Sequence, residues 1–298
     1  MTVLETESPP ADSRKPGRRP TDADGPAVAP APSSALGRRM RALASSGAWA
    51  LVGVAVVVAL WSMVAVFSPD LPTPPEALAS LSGMLRYPFY DAGPNDKGVG
   101  LLLLLSLQRV FVGFALAAAV GVPLGFLIGT SPRAWKAANP VMQILRPVSP
   151  LAWFPIGLVA LSSSPNAAVF VIFITALWPI VVNTAAGASS VPRDHRNVAR
   201  VFQFGRMAYV RHVLVPHTLP EIVTGLRLSM GIAWMVIVAA EMLASGATGI
   251  GSFVWESYNT ADLAGVTAAI VLIGFVGVAL DSAFLRIGRR VALEEVTV

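Results

Sequence analysis

Six apolar stretches, each near the roughly 20 residues that a helix needs to cross a hydrocarbon layer, alternate with polar links along a chain of 298 residues. In such a solvent, backbone N–H and C=O groups must be satisfied within the chain, so runs of this length read as helices. Charged residues make up 13% of the chain and hydrophobic residues 54%, against about 25% charged in an ordinary soluble domain. The expected fold is all-α, a polytopic membrane protein of about six transmembrane helices.

The spans are expected at roughly 48–67, 102–129, 140–161, 167–188, 221–243 and 264–285. The second carries Gly121, Gly125 and Gly129 at four-residue spacing, which lets a neighbouring helix approach closely. The third is interrupted by Pro147, Pro150 and Pro155, and SSSPN at 162–166 reads as a tight turn. Residues 1–46, rich in Pro, Ala, Ser and Asp without apolar periodicity, read as a disordered cytoplasmic tail. The organisation expected is that tail, then 47–100 as the first transmembrane helix with an extracytoplasmic segment holding an amphipathic piece near 76–86. A core transmembrane domain at 101–288 follows, with a cytoplasmic loop at 191–220, and then a short cytoplasmic tail at 289–298.

Basic residues set the orientation. Arg38, Arg39, Arg41, Arg133, Lys136, five arginines between Arg193 and Arg211, and Arg286, Arg289 and Arg290 share one side if there are six spans. The opposite loops hold Arg86 and Lys97. This positive-inside pattern puts both termini in the cytoplasm and accounts for the net charge of +5 without nucleic acid as a partner. The chain has no cysteine and three scattered histidines, which excludes thiolate chemistry and argues against a metal site.

Proline in a spanning helix frees backbone carbonyls that must face protein or a watery cavity, so RPVSPLAWFP at 146–155, with Arg146 and Trp153, is a candidate pathway segment or a packing kink. Trp178 and Asn183 mark the fourth span beside Pro179. Arg109, Arg146, Arg227 and Glu241 lie in or near spans, where an unpaired charge costs several kcal/mol. Arg227, Trp234 and Glu241 recur every seven residues and share one stripe of the fifth span. Arg227 and Glu241 are about 21 Å apart at 1.5 Å per residue, too far to pair. They line a pathway, or sit at opposite interfaces. Asp281 is expected to pair with a neighbouring arginine.

The 191–220 loop can form a short helix at 194–204 with Asp194 as its N-cap. Pro216 and Pro220 are expected to end one element and permit the next. Such a compact, central helix suits docking of a partner, the alternative being a helix lying on the membrane surface. No GxxxxGK[ST] loop occurs, and GATGIG at 246–251 lacks the lysine and hydroxyl that hold nucleotide and metal. Any ATP must therefore be bound by another subunit. Ser/His/Asp, paired-carboxylate and HExxH arrangements are missing too, which leaves an integral-membrane enzyme without support.

With those residues in view, the loop resembles the cytoplasmic motif of binding-protein-dependent ABC importer permeases: Glu-Ala-Ala, a Gly, then Ile-x-Leu-Pro. Its counterpart here is Asn197-Val198-Ala199, Gln203 and Val213 to Pro216, so the acidic start and the Gly are absent. The runs at 106–130, 146–161, 168–187, 191–202 and 219–243 are similar to permeases for nitrate, nitrite, cyanate or bicarbonate, with sulfonate and taurine permeases as near relatives. The resemblance implies a type I importer permease in the plasma membrane, paired with a second permease copy, two ABC ATPase subunits and an extracytoplasmic substrate-binding protein. It implies no cofactor in this chain, with ATP and magnesium on the ATPase. Arg196, Asn197, Val198, Ala199, Arg200, Phe202, Gln203 and Pro216 would couple to that ATPase. Arg109, Arg146, Trp153, Trp178, Asn183, Arg227, Trp234 and Glu241 are the candidate pathway residues. Nitrate is the expected cargo, an alkanesulfonate or taurine the alternative. A secondary transporter or channel would need mid-membrane acidic sites and an internal repeat, which the sequence does not display.

Overall fold

The computed structural model describes residues 32–93, 96–244, 246 and 248–295, with side chains from 48 to 289 at those positions. It is helical, with an isolated bridge between Asp91 and Lys97 as the sole β pairing among the described residues. The chain divides into two units, residues up to Val57 and residues from Val58 onward. Helix α1, Pro32–Phe67, crosses that boundary. It begins inside the segment expected to be a tail, because ALGRRMRALA is composed mainly of strong helix formers; residues 1–31 lie outside the described residues. The stretch Ala48–Phe67 is apolar on all sides and exposed, the pattern of a helix whose surroundings are lipid.

In the second unit, Trp61 Nε1 donates to Pro72 O at 3.0 Å and ties the end of α1 to the start of α2, Pro74–Arg86. Helix α3 spans Val99–Thr130 and α4 spans Pro132–Leu145, with Ser131 between them as N-cap and Pro132 at the first position. Arg133 and Lys136, expected in a link, are in α4. The third span is not a kinked single helix. Pro147 and Pro150 each lack an N–H donor, and Ser149, the residue before Pro150, is extended at φ −56° and ψ 130°. The chain therefore breaks after Leu145, makes a 3₁₀ turn at Pro150–Trp153 and resumes as α5, Phe154–Leu161, bent by 94° from α4.

Helix α6, Ser164–Ser189, is the centre of the bundle and packs on α3, on α5 and on α9. The glycines of α3 explain how closely α3 approaches. A Cβ would fall 2.7 Å from Ile172 at Gly113, 2.9 Å from Ile180 at Gly121 and 2.5 Å from Thr184 at Gly125, and would strike the Ala185 backbone at Gly129. These partners rise together along both chains, so α3 and α6 run parallel. Two parallel neighbours need a connection that returns the whole length of their contact. The bent α4–α5 pair supplies it and is therefore one crossing. Among the described residues five further helices are long and apolar enough to cross, which makes six with the bent pair.

After α6 come α7, Arg193–Val201, and α8, Arg206–Tyr209. A π turn at Val210–Leu214 leads directly into α9, Val215–Leu243. Pro216 stands in the first turn of α9, where the π turn gives way to it, whereas Pro220 lies inside α9 and ends nothing. Pro216 lacks the N–H that would bond residue 212 and its ring crowds that carbonyl. The backbone widens one turn early, Val215 N–H reaching Val210 O, and continues. Helices α10, Ile250–Asn259, and α11, Leu263–Glu295, complete the chain. Ser229 Oγ donates to Ala176 O at 2.8 Å and Gly225 abuts Asn183, so α9 is antiparallel to α6. Side chains of Val171, Ile172, Ile180, Ala233 and Ile237 are fully buried between these helices.

Candidate functional site

The three arginines expected within spans fare differently. Arg109, on α3, donates from Nη1 to Glu241 Oε1 at 2.5 Å and to Thr248 O at 2.8 Å. Glu241 is buried at the far end of α9. Its other oxygen accepts from Ser106 Oγ at 2.8 Å and from Gly251 N–H at 3.1 Å, and Ser106 in turn accepts the N–H of Ile250 at 3.0 Å. Together these bonds fasten the first turn of α10 to α3 and α9. Arg227 makes a two-pronged pair with Asp281 of α11, Nε to Oδ1 at 2.6 Å and Nη2 to Oδ2 at 2.9 Å. Trp234 Nε1 donates to Ile273 O at 3.0 Å. The seven-residue stripe of α9 is thus a row of interhelical pins, its two ends held by carboxylate–guanidinium pairs to different helices, and neither charge on it snorkels free.

Arg146 differs. It stands at the break between α4 and α5, exposed, and its side chain has no hydrogen-bond or ion-pair partner among the described residues. It lines a cavity of about 220 Å³ with Leu145, Val148, Pro150, Trp153, Ile174, Thr175, Trp178, Pro179 and Ile232. The α6 and α9 residues on this wall lie near the middle of their helices, so the cavity is at half height in the bundle. Leu145, Arg146, Val148, Pro150 and Trp153, all at or just after the break, form the wall opposite Thr175 and Trp178. Of the expected pathway residues, the structure brings Arg146, Trp153 and Trp178 together. Asn183 instead donates to Pro179 O of its own helix at 2.8 Å. Thr175, which sequence reading missed, faces the same cavity one turn before Trp178. Ser106 was missed too; its signal is its position one turn before Arg109 on α3.

At one end of the bundle, α7 presents its polar face outward. Its helix begins after Pro192, with Asp194 in the first turn rather than at the cap, and ends at Val201. Ala199 is buried against the bundle, whereas Val198, Val201 and Phe202 are exposed. Arg196 Nη2 reaches back to Val191 O at 2.6 Å; Arg200 and Asn197 are exposed. Gln203 adopts φ +53°, the left-handed conformation in which a helix-ending residue is usually glycine. It is the position at which the resembled motif has its Gly. Phe204 N–H then closes the turn on Ala199 O at 2.9 Å.

Comparison with known proteins places this arrangement. Residues 121–293 match the family model described as binding-protein-dependent transport system inner membrane component. The chain is 45% identical over 231 residues to the nitrate import permease protein NrtB of Synechocystis sp., covering 77% of this chain and 84% of that protein. It is 40% identical to NrtB of Leptolyngbya laminosa over 89% of this chain and 94% of the relative. It is 42% identical to the bicarbonate transport system permease protein CmpB of Synechocystis sp. over 78% and 84%. Among solved structures, a chain of the inward-facing MetNI methionine ABC transporter superposes with a TM-score of 0.57 at 20% identity, over 65% of this chain and 95% of that one, which shows the shared fold. The chain, a multi-pass inner-membrane protein, therefore belongs to the binding-protein-dependent ABC importer permeases.

Proposed function

We propose that this chain is the membrane-spanning half-channel of an ATP-driven importer for a small inorganic oxyanion, nitrate first, with nitrite, cyanate and bicarbonate as its chemical neighbours. The observation that carries the reading is the uncompensated Arg146 guanidinium at half height of the bundle. A lone charge there costs several kcal/mol unless water or a counter-ion meets it. Arg109 and Arg227 have carboxylate partners within the chain, so Arg146 is the one of the three left to meet a passing anion. The kinship with nitrate and bicarbonate permeases supports the same class of cargo.

In this reading both termini and α7 face the cytoplasm, in keeping with the arginines at that end. Two copies of the chain enclose the pathway, two separate ATPase subunits bind ATP and magnesium, and an extracytoplasmic protein delivers the anion. The exposed apolar patch of Val198, Val201 and Phe202, rimmed by Arg196 and Arg200, seats α7 in the ATPase, and closure of the ATPases moves α7 together with α9. Arg200→Ala or Phe202→Ala is expected to leave insertion intact and uncouple ATP hydrolysis from uptake.

The test is uptake by proteoliposomes holding this chain, the ATPase and the binding protein encoded beside it, offered nitrate, bicarbonate and taurine in turn. ATP-dependent nitrate uptake supports the proposal. Uptake of taurine alone replaces the cargo, and uptake driven by a proton gradient without ATP overturns the mechanism.

A further inference from the structure

The polar side chains around the Arg146 cavity are almost all hydrogen-bond donors. A guanidinium presents five N–H groups in a planar fork. The indole N–H groups of Trp153 and Trp178 have no partner among the described residues, whereas those of Trp61 and Trp234 are taken by backbone carbonyls. An indole nitrogen only donates. The remaining polar side chain on the wall is Thr175, whose hydroxyl proton is committed to Val171 O at 2.6 Å. Toward the cavity it therefore offers lone pairs. No lining side chain is acidic.

We infer that this cavity is a resident site for one planar trigonal oxyanion, so that the permease applies a selection of its own after the binding protein has released its cargo. The inference rests on the oxyanion reading above and narrows it to a shape. A space of about 220 Å³, set against the roughly 30 Å³ that a liquid water molecule occupies, holds one small anion with a few waters. The guanidinium fork meets two oxygens of a flat anion in a single plane, and the two indoles supply flat walls and donors for the third. A tetrahedral sulfonate offers the fork two oxygens as well, but its third oxygen and its carbon substituent project out of that plane into the walls. Thr175 distinguishes within the planar class. Nitrate only accepts hydrogen bonds, whereas bicarbonate also has an O–H to donate, and Thr175 Oγ1 is the side-chain acceptor available to it.

The experiment is calorimetric titration of the permease–ATPase complex in nanodiscs, without binding protein, using nitrate, bicarbonate and methanesulfonate at pH 8. Saturable nitrate binding is expected, at least about tenfold weaker in Arg146→Gln, since charge-assisted hydrogen bonds of this kind are worth at least that factor. Methanesulfonate is expected not to compete. Thr175→Val preserves side-chain shape. It is expected to lower the affinity for bicarbonate relative to nitrate by about tenfold, the loss of one hydrogen-bond acceptor. Equal nitrate binding by wild type and Arg146→Gln overturns the inference, as does effective competition by methanesulfonate. If the complete system imports nitrate while the complex alone binds none, the resident site is wrong and the importer reading stands. If the complete system imports no oxyanion, both fall.

Discussion

Arg109 and Glu241 are 132 positions apart in the chain yet joined at 2.5 Å, and their pairing is what singles out Arg146. Glu241 is fully enclosed and accepts from α3 and α10 together. Breaking such a pair from one side strands the other charge. Arg109→Gln is expected to cost about 3–5 kcal/mol, the usual penalty for a stranded buried charge, and to lower the melting temperature of the detergent-solubilised protein. Arg146→Gln, which strands nothing, is expected to melt near wild type. Equal losses in the two variants would contradict this division of roles.

The glycine seam makes a second prediction. Gly125→Val places methyl groups where Thr184 and the Val181 backbone already stand, and overpacking of this kind costs about 1–3 kcal/mol. Gly231, on α9, has open space around the same position, so Gly231→Ala is expected to be neutral or slightly stabilising through helix propensity. Thermal unfolding of the pair separates close packing from a general intolerance of glycine replacement.

Gln203 carries a left-handed backbone conformation that costs an L side chain about 1 kcal/mol. Gln203→Gly is expected to return roughly that amount to the turn that closes α7. Hydrogen exchange at the Phe204 amide, bonded to Ala199 O, should slow. Faster exchange would mean that the glutamine side chain holds the turn by contacts of its own.

At the other end of the bundle, the Lys97 ammonium hydrogen-bonded to Asp91 holds its carboxyl below the usual carboxylate range. A depressed carboxylate adds stability above its unfolded pKa, near 3.9, and loses it as pH falls through the lower folded value. The 90–98 turn is thus expected to keep its hydrogen bonds at neutral pH and open only under strong acid. Protection of the Gly98 amide, bonded to Tyr90 O, reports it. Opening already near pH 6 would contradict the assignment.

The spans and their helical type were legible because apolar length alone decides them in a bilayer, whereas α10, Ile250–Asn259, which carries no such run, was not. Helix ends were not. Helical backbone extends past the apolar runs into arginine-bearing segments, as in α4 with Arg133 and in α8 and the π turn before α9 with Arg206 and Arg211, because backbone bonds continue wherever propensity allows. Three prolines in ten residues announced the broken third span, but its 94° bend depends on packing against α6 that no local pattern encodes. Arg109, Arg146 and Arg227 were all pathway candidates in sequence, and although Asp281 was expected to pair with an arginine, which one was not legible. The carboxylates that pair with Arg109 and Arg227 lie on other helices, Glu241 132 positions on and Asp281 54, a tertiary fact that periodicity does not contain. Gln203 occupies the glycine position of the resembled motif, and only its dihedral angle shows why glycine suits it.

In the proposed mechanism Arg146 is the cation that an anion meets at half height in the membrane. The direct measurement is ATP-dependent nitrate uptake by the reconstituted transporter carrying Arg146→Gln, alongside Arg146→Lys and wild type, at matched incorporation. Uptake is expected to fall by about tenfold or more in Arg146→Gln, in keeping with the loss of a charge-assisted hydrogen bond, and to recover in part in Arg146→Lys, which keeps the charge and loses the fork. Undiminished uptake by well-incorporated Arg146→Gln would contradict the mechanism.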